Sequence, residues 1–173
     1  MTDLKPYEKY LWSTKREDYE KKQVPEDIDC VFCALVEGDE RVTKLTVFED
    51  DFLTVQMNIY PNSTGHLMVI PKRHVNSLTD LTDEERNRLF KMVSKVEQLQ
   101  RTVVEPEGVD IGMNLGEAAG ESILHMHVHL VPMSYGGRGF METALDTKVM
   151  KKTLEDMCED YREHTEILEG YWG

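Results

Sequence analysis

Residues 124–131, Leu-His-Met-His-Val-His-Leu-Val, restrict what this chain can fold into more than any other stretch. Polar and apolar side chains alternate strictly, which is the period of an extended strand with two unlike faces. Three of the six histidines in the sequence fall within five consecutive positions. At a rise of ~3.3 Å per residue, His125, His127 and His129 share one face with attachment points ~6.6 Å apart. Leu124, Met126, Val128 and Leu130 take the other face and are expected to anchor the strand in the core. A group seated on the middle ring would be reached by polar side chains on either side.

The surrounding sequence supplies partners for such a strand. "LTVFE", the acidic turn "DD" and "FLTVQM" predict a hairpin rich in β-formers. After the loop "NIYPNSTG", the run "HLMVI" is apolar on both faces, as in a central strand covered on each side. Thr82 and Glu85 form a capping box that opens the longest helix, with Leu89, Val93, Val96, Leu99 and Val103 as its apolar stripe. "VDIGMNL" predicts a further strand, and a short helical turn from Phe32 to Glu37 stops at Gly38. Residues 147–163 predict a last amphipathic helix through Met150, Leu154, Met157 and Tyr161, with "EGYWG" as a tail. Strands outnumber long helices and are joined in part by tight turns, so the fold class is α+β, an antiparallel sheet with packed helices. The expected organisation is an N-terminal helical arm (1–25), a catalytic domain (26–140), and a C-terminal helix and tail (141–173) packed on that same domain.

A length of 173 residues suits one domain with its own core. The formal charge of −13 argues against long nucleic acid as a partner, though not against a small anion in a local pocket. The opening "MTDLKPYEKY" lacks the apolar centre of a signal peptide, and no run approaches a membrane span. The three cysteines, two of them in "CVFC", do not resemble a secreted disulfide framework. The expected location is the cytoplasm.

Imidazole is abundant in its neutral form near pH 7, and a neutral ring is a nucleophile that needs a partner only to fix its tautomer. Flanking rings can donate to developing negative charge. Just upstream, "NLGEAAGES" offers Gly116 and Gly120 for a backbone turn that cradles phosphate, and Ser122 adds a hydroxyl. These parts point to phosphoryl or nucleotidyl transfer on His127 with no obligatory catalytic metal. Two other readings stand beside this one: hydrogen-bonded strand histidines with no chemistry, and a three-histidine metal site of a metal-dependent hydrolase. Cys30 and Cys33 have the spacing of half a zinc site, but equally of a redox pair or a coincidence. Cys158 reads as a small core residue.

The motif "HMHVHLV" resembles the His-φ-His-φ-His-φ-φ signature (φ apolar) of the histidine triad superfamily of nucleotide hydrolases and transferases. "NLGEAAGES…HMHVHLVP", "NIYPNSTGHLMVIPKRHV", and "CVFC" with "VFEDDFLTV" resemble its other blocks, in order, over about residues 28–135. The arm, "NIYP" and "GGRGFMETALDTKVM" are similar to the diadenosine polyphosphate hydrolase and phosphorylase branch. The resemblance implies a five-stranded antiparallel sheet, joined to a second subunit as a ten-stranded sheet in a homodimer. The implied activity is cleavage of the α-phosphate linkage of dinucleoside polyphosphates, which enter free or as a magnesium complex. A nucleotide-binding regulator with little turnover is the further alternative.

By that resemblance, His127 would attack phosphorus and carry the nucleotidyl group, His129 would contact phosphate and His125 would set the strand. Ser122 would bond the bridging oxygen, Asn114 the phosphate or ribose, and Asn58 the ribose. His66 and Gly120 would lie at the phosphate, and Phe32 would form part of the wall for the base. Cys30, Cys33, His74 and His125 would close a structural zinc site. Two positions depart from the family pattern. Glu121 stands where glutamine is usual, which places a carboxylate near polyphosphate, and Met133 stands where arginine is usual, with Arg138 or Lys148 as substitutes.

Overall fold

The protein is described from a computed structural model covering residues 25, 27–135 and 152–172. The expectations for the N-terminal arm, for Arg138 and Lys148, and for the helix before residue 152 fall outside these residues. Five strands, β1 (Thr46–Glu49), β2 (Leu53–Met57), β3 (Leu67–Pro71), β4 (Gly108–Gly112) and β5 (Val128–Met133), form one antiparallel sheet in the order β1-β2-β3-β5-β4. Every residue of β2 and β3 is buried, as their two-sided apolar patterns require. β3 lies against β5 with Met68 opposite His129, which puts the histidine segment beside the centre of the sheet.

Among the described residues three α-helices pack on the sheet: α1 (Val31–Glu37), α2 (Asp83–Val103) and α3 (Leu154–Arg162). The α2 capping box forms as its sequence implies, with Thr82 Oγ1 accepting from the Glu85 N–H and Glu85 accepting from the Thr82 N–H. Leu89, Val93, Val96 and Leu99 are buried in one cluster with Val55, Val69, Val128 and Leu130 from the sheet. α1 ends at Gly38 in the left-handed region, φ 81°. Among the described residues no helix is long and apolar enough to cross a membrane.

Two details around β5 differ from the sequence-based picture. The β5 ladder begins only at Val128, so His125 and His127 lie on the segment leading into it. Leu124, expected on the core face, is half exposed, while Met126, Val128 and Leu130 are fully buried. The chain is pinned near its C-terminal end: Leu168 and Tyr171 join the core, and Arg88 stacks against Phe52, Tyr171 and Trp172. Arg88 also pairs with Asp50 and Asp51, and the Tyr171 hydroxyl donates to Asp50 at 2.6 Å. α3 packs on the same core through Met157, Cys158 and Tyr161.

A buried polar clamp holds the β2–β3 loop. Gln100, the one polar side chain in the α2 core stripe, donates to the carbonyls of Gly65 and Leu130, both at 2.9 Å. The Tyr161 hydroxyl donates to the same Gly65 carbonyl at 2.8 Å. This loop carries Asn58 at one end and His66 at the other.

Candidate functional site

Each histidine of the row is held in a different way, and its partner determines which nitrogen keeps the proton. His125 is fully buried, and its Nε2 donates to the Pro71 carbonyl at 2.8 Å. Its Nδ1 is thereby left facing the Cys30 and Cys33 sulfurs, at 3.4 and 3.6 Å. His127 Nδ1 donates to the His125 carbonyl at 2.8 Å, which leaves Nε2 with a lone pair. His66 Nδ1 accepts from the Asn62 backbone N–H at 3.1 Å, so its Nε2 carries the proton and donates to His129 Nδ1 at 3.0 Å. His129 must then carry its own proton on Nε2. The result is an unprotonated Nε2 on His127 beside a donor on His129, with ring centroids 4.6 Å apart.

Burial keeps both rings uncharged. It pushes His127 below the ordinary histidine value, against an opposing effect from the His125 carbonyl and the Glu121 charge. His129 is pushed down to about 4, by burial first and by His127 second. Phe32 lies edge-on to both His127 and His125, at 5.0 and 5.7 Å between centroids, packed with Met68 and Ile70. At 4% exposure it forms a floor beneath the rings rather than an open wall.

The loop before the row is wound by two glycines. Gly116 and Gly120 both have φ 88°, flanking a single 3-10 turn. Asn114 Nδ2 donates to the Gly120 carbonyl at 3.1 Å. Glu121 folds back so that Oε2 accepts from the Gly116 N–H at 2.5 Å, and only 7% of the residue is exposed. Ser122 is exposed at the end of this loop, and Asn58 is buried with Nδ2 against the His66 ring. Met133, where a cation was expected, is 44% exposed.

Cys30, Cys33, His74 and His125 converge, with their four donor atoms all within 4.8 Å of one another. Cys33 Sγ lies 3.2 Å from His74 Nδ1. Burial alone would raise the Cys30 thiol, but bonds from His125 and Cys33 bring it down to about 7, whereas burial and Cys30 push Cys33 up to about 11. Two thiols and two imidazole nitrogens in this arrangement are a zinc-type donor set, so the residues fit a metal ion. The cluster opens on a cavity of about 640 Å³ that is also lined by Asp29, Glu37 and Asn76. Among the described residues of the cluster His74 is exposed, the two cysteines are half-buried and His125 is buried.

Sequence reading overlooked the residues that hold this site from behind. Gln100 sits four residues after Val96, within an apolar stripe, and a polar residue there is the signal of a buried hydrogen bond. Asn62 acts through its backbone N–H, which leaves no trace in the side-chain pattern.

Comparison with known proteins matches a HIT domain model to residues 40–135, leaving Cys30 and Cys33 just outside the matched segment. "Protein hit" of Bacillus subtilis is 35% identical over 112 residues, 65% of this chain and 76% of that protein. An "AP-4-A phosphorylase" of Mycobacterium tuberculosis is 38% identical over 113 residues, 65% of this chain, which spans only 58% of that protein's length. Among solved structures, a zinc-bound histidine triad family protein from Mycobacterium smegmatis superposes with a TM-score of 0.62 at 29% identity, covering 78% of this chain and 91% of that one. With the family model spanning more than half of the sequence and the histidine row placed as described, the chain belongs to the HIT domain family.

Proposed function

We propose that the protein cleaves the α-phosphate linkage of dinucleoside polyphosphates, of the diadenosine tetraphosphate kind, through a nucleotidyl group carried on His127. One observation carries this reading: the His125 carbonyl holds the His127 proton on Nδ1, so Nε2 is a free lone pair at neutral pH. His127 Nε2 attacks phosphorus as the P–O bond to the departing polyphosphate breaks. His129 Nε2–H donates to the charge that builds on the phosphate oxygens. The acceptor, water or orthophosphate, then attacks phosphorus, releases its proton, and returns the N–P pair to the ring. The loop glycines and Ser122 border the phosphate, Asn58 and Asn114 serve the ribose side, and the substrate enters free or with magnesium. The name and similarity of the mycobacterial phosphorylase support this choice of substrate.

Cys30, Cys33, His74 and His125 are assigned to zinc, which would tie α1 to the sheet and hold His125 in place. The three histidines of the row do not act as joint ligands of one ion. Their nitrogens are committed in three directions, to the cysteine pair, to a backbone carbonyl and to His66. A silent nucleotide-binding regulator loses its main support too, since the Glu121 carboxylate turns back to Gly116. A homodimer joined edge to edge is supported by the half-exposed Ile111 on the edge strand β4. The three described cysteines form no disulfide, and a pair committed to zinc beside a buried Cys158 suits the reducing cytoplasm.

The test is incubation with diadenosine tetraphosphate, with and without orthophosphate, with acid quenching and identification of both free nucleotides and labelled protein. A nucleotidyl adduct on His127 is the expected result, abolished with turnover in His127→Ala while nucleotide binding persists. Normal turnover by His127→Ala would end the proposal.

A further inference from the structure

Gln100 donates from one nitrogen to two stretches of backbone at once. From a fully buried position on α2, its Nε2 reaches the carbonyls of Gly65 and Leu130, both at 2.9 Å. Gly65 immediately precedes His66, and Leu130 immediately follows His129. Those two histidines share the 3.0 Å N–H···N bond that fixes the tautomer of His129. The β3–β5 ladder does not extend to His66, because its last pair is Leu67 with Leu130. His66 stands one residue beyond, on the face of Met68 and therefore of His129. Its N–H donates to the Ser63 carbonyl at 3.3 Å and its carbonyl accepts from the Asn58 N–H at 3.0 Å, both on the loop side. The ring of Pro132 lies 3.5 Å from where a Gly65 Cβ would stand, and proline has no N–H with which to continue the ladder. Gln100 supplies a donor there and carries the link on to β5.

We infer that Gln100 is a positioning residue: by joining the backbone before His66 to the backbone after His129, it holds the two rings in register and keeps the His129 proton on Nε2. The inference rests on His129 donating to the phosphate oxygens, as proposed above. With the brace in place, the His66 Nε2–H meets His129 Nδ1, and the other His129 nitrogen carries the proton offered to substrate. A hydrogen bond weakens steeply once its geometry is lost. Without the brace the loop is released from β5, His129 loses its fixed donor, and either of its nitrogens can take the proton. Molecules protonated on Nδ1 then present an acceptor where the reaction needs a donor. The Tyr161 hydroxyl also donates to the Gly65 carbonyl at 2.8 Å, but that bond joins the loop to α3 rather than to β5.

The test uses protein isotopically labelled at its imidazole nitrogens. In the wild type, NMR should show scalar coupling across the hydrogen bond between His66 Nε2 and His129 Nδ1, with His129 protonated on Nε2 alone. Gln100→Met fills nearly the same volume without a donor, so it should keep a similar melting temperature. It should nevertheless lose the coupling and show both His129 tautomers. With diadenosine tetraphosphate its kcat should fall about tenfold while KM stays within about twofold, because misplacing a group that acts in the transition state costs rate rather than binding. Tyr161→Phe, which leaves the bridge intact, should keep the coupling. Gln100→Glu has the same shape and at most one donor, so it cannot bridge both carbonyls and is read in the same way where Gln100→Met does not fold. A folded Gln100 variant with unchanged coupling and a single His129 tautomer overturns the inference and leaves the nucleotidyl mechanism standing. A wild type without the coupling overturns the inference too. No turnover by a wild type that shows the coupling ends the mechanism, and with it the part of Gln100 in it.

Discussion

Replacement of Gly65 by alanine should destabilise the protein far more than the addition of one methyl group suggests. Gly65 has φ 84°, in the left-handed region, where a side chain costs roughly 1–2 kcal/mol. A Cβ built there lies 2.6 Å from the Tyr161 hydroxyl and 2.8 Å from Val104 Cγ2, closer than real Cβ contacts come. Relieving that overlap costs about 1–3 kcal/mol of repacking. Moving Tyr161 also gives up its 2.8 Å hydrogen bond to the Gly65 carbonyl, worth about 1 kcal/mol. The sum is roughly 4 kcal/mol, and in a domain of this size each kcal/mol moves the melting temperature by about 2–4 °C. Thermal unfolding followed by circular dichroism should therefore fall by roughly 8–16 °C. Tyr161→Phe alone removes the hydroxyl, so Gly65→Ala with Tyr161→Phe should lose less than the two single variants added together. Strict additivity, or a Gly65→Ala shift of only about 2 °C, would mean that this crowding is not real. Turnover should drop too, because the clamped loop ends at His66.

The other expectations are briefer. His66→Phe should cut turnover by about 100-fold at nearly unchanged nucleotide binding, because His129 loses the donor that fixes its tautomer; steady-state kinetics with a separate binding assay will decide, and equal losses in both would point to a collapsed pocket. Cys30→Ser, or chelation at neutral pH, should lower the melting temperature more than the activity; elemental analysis of fresh protein finding no zinc would remove the basis for this. Glu85 is held down to about 2 from 4.5, chiefly by its hydrogen bonds to Arg73. Its folded-state value is depressed, so its contribution is full above 4.5 and fades as pH falls toward about 2. Glu85→Gln should accordingly flatten the fall in melting temperature over that acidic range, and an unaltered slope would place the acid sensitivity elsewhere.

What could be read from the residues was whatever periodicity encodes. The two-sided apolar runs of β2 and β3, the Thr82–Glu85 box and the α2 stripe each follow from local pattern, and together they give an antiparallel sheet with packed helices. The histidine row was legible for the same reason. Leu124 was misread because alternation says which face a side chain takes, not whether anything covers it. The packing of Tyr171 depends on Arg88, 83 positions away, and on Asp50 across the β1–β2 turn. No window of sequence contains that arrangement. Glu121 shows the opposite limit: its charge was visible, but its direction depends on a hydrogen bond to the backbone of Gly116.

The atoms that choose the working tautomers of His125 and His127 are main-chain oxygens, those of Pro71 and His125 itself. Such acceptors survive every genetic substitution, so a saturation scan would pass over them and homologues could vary around them freely. Exposing their contribution calls for chemical protein synthesis: an ester in place of the amide linking His125 to Met126 weakens that oxygen as an acceptor while every side chain stays the same.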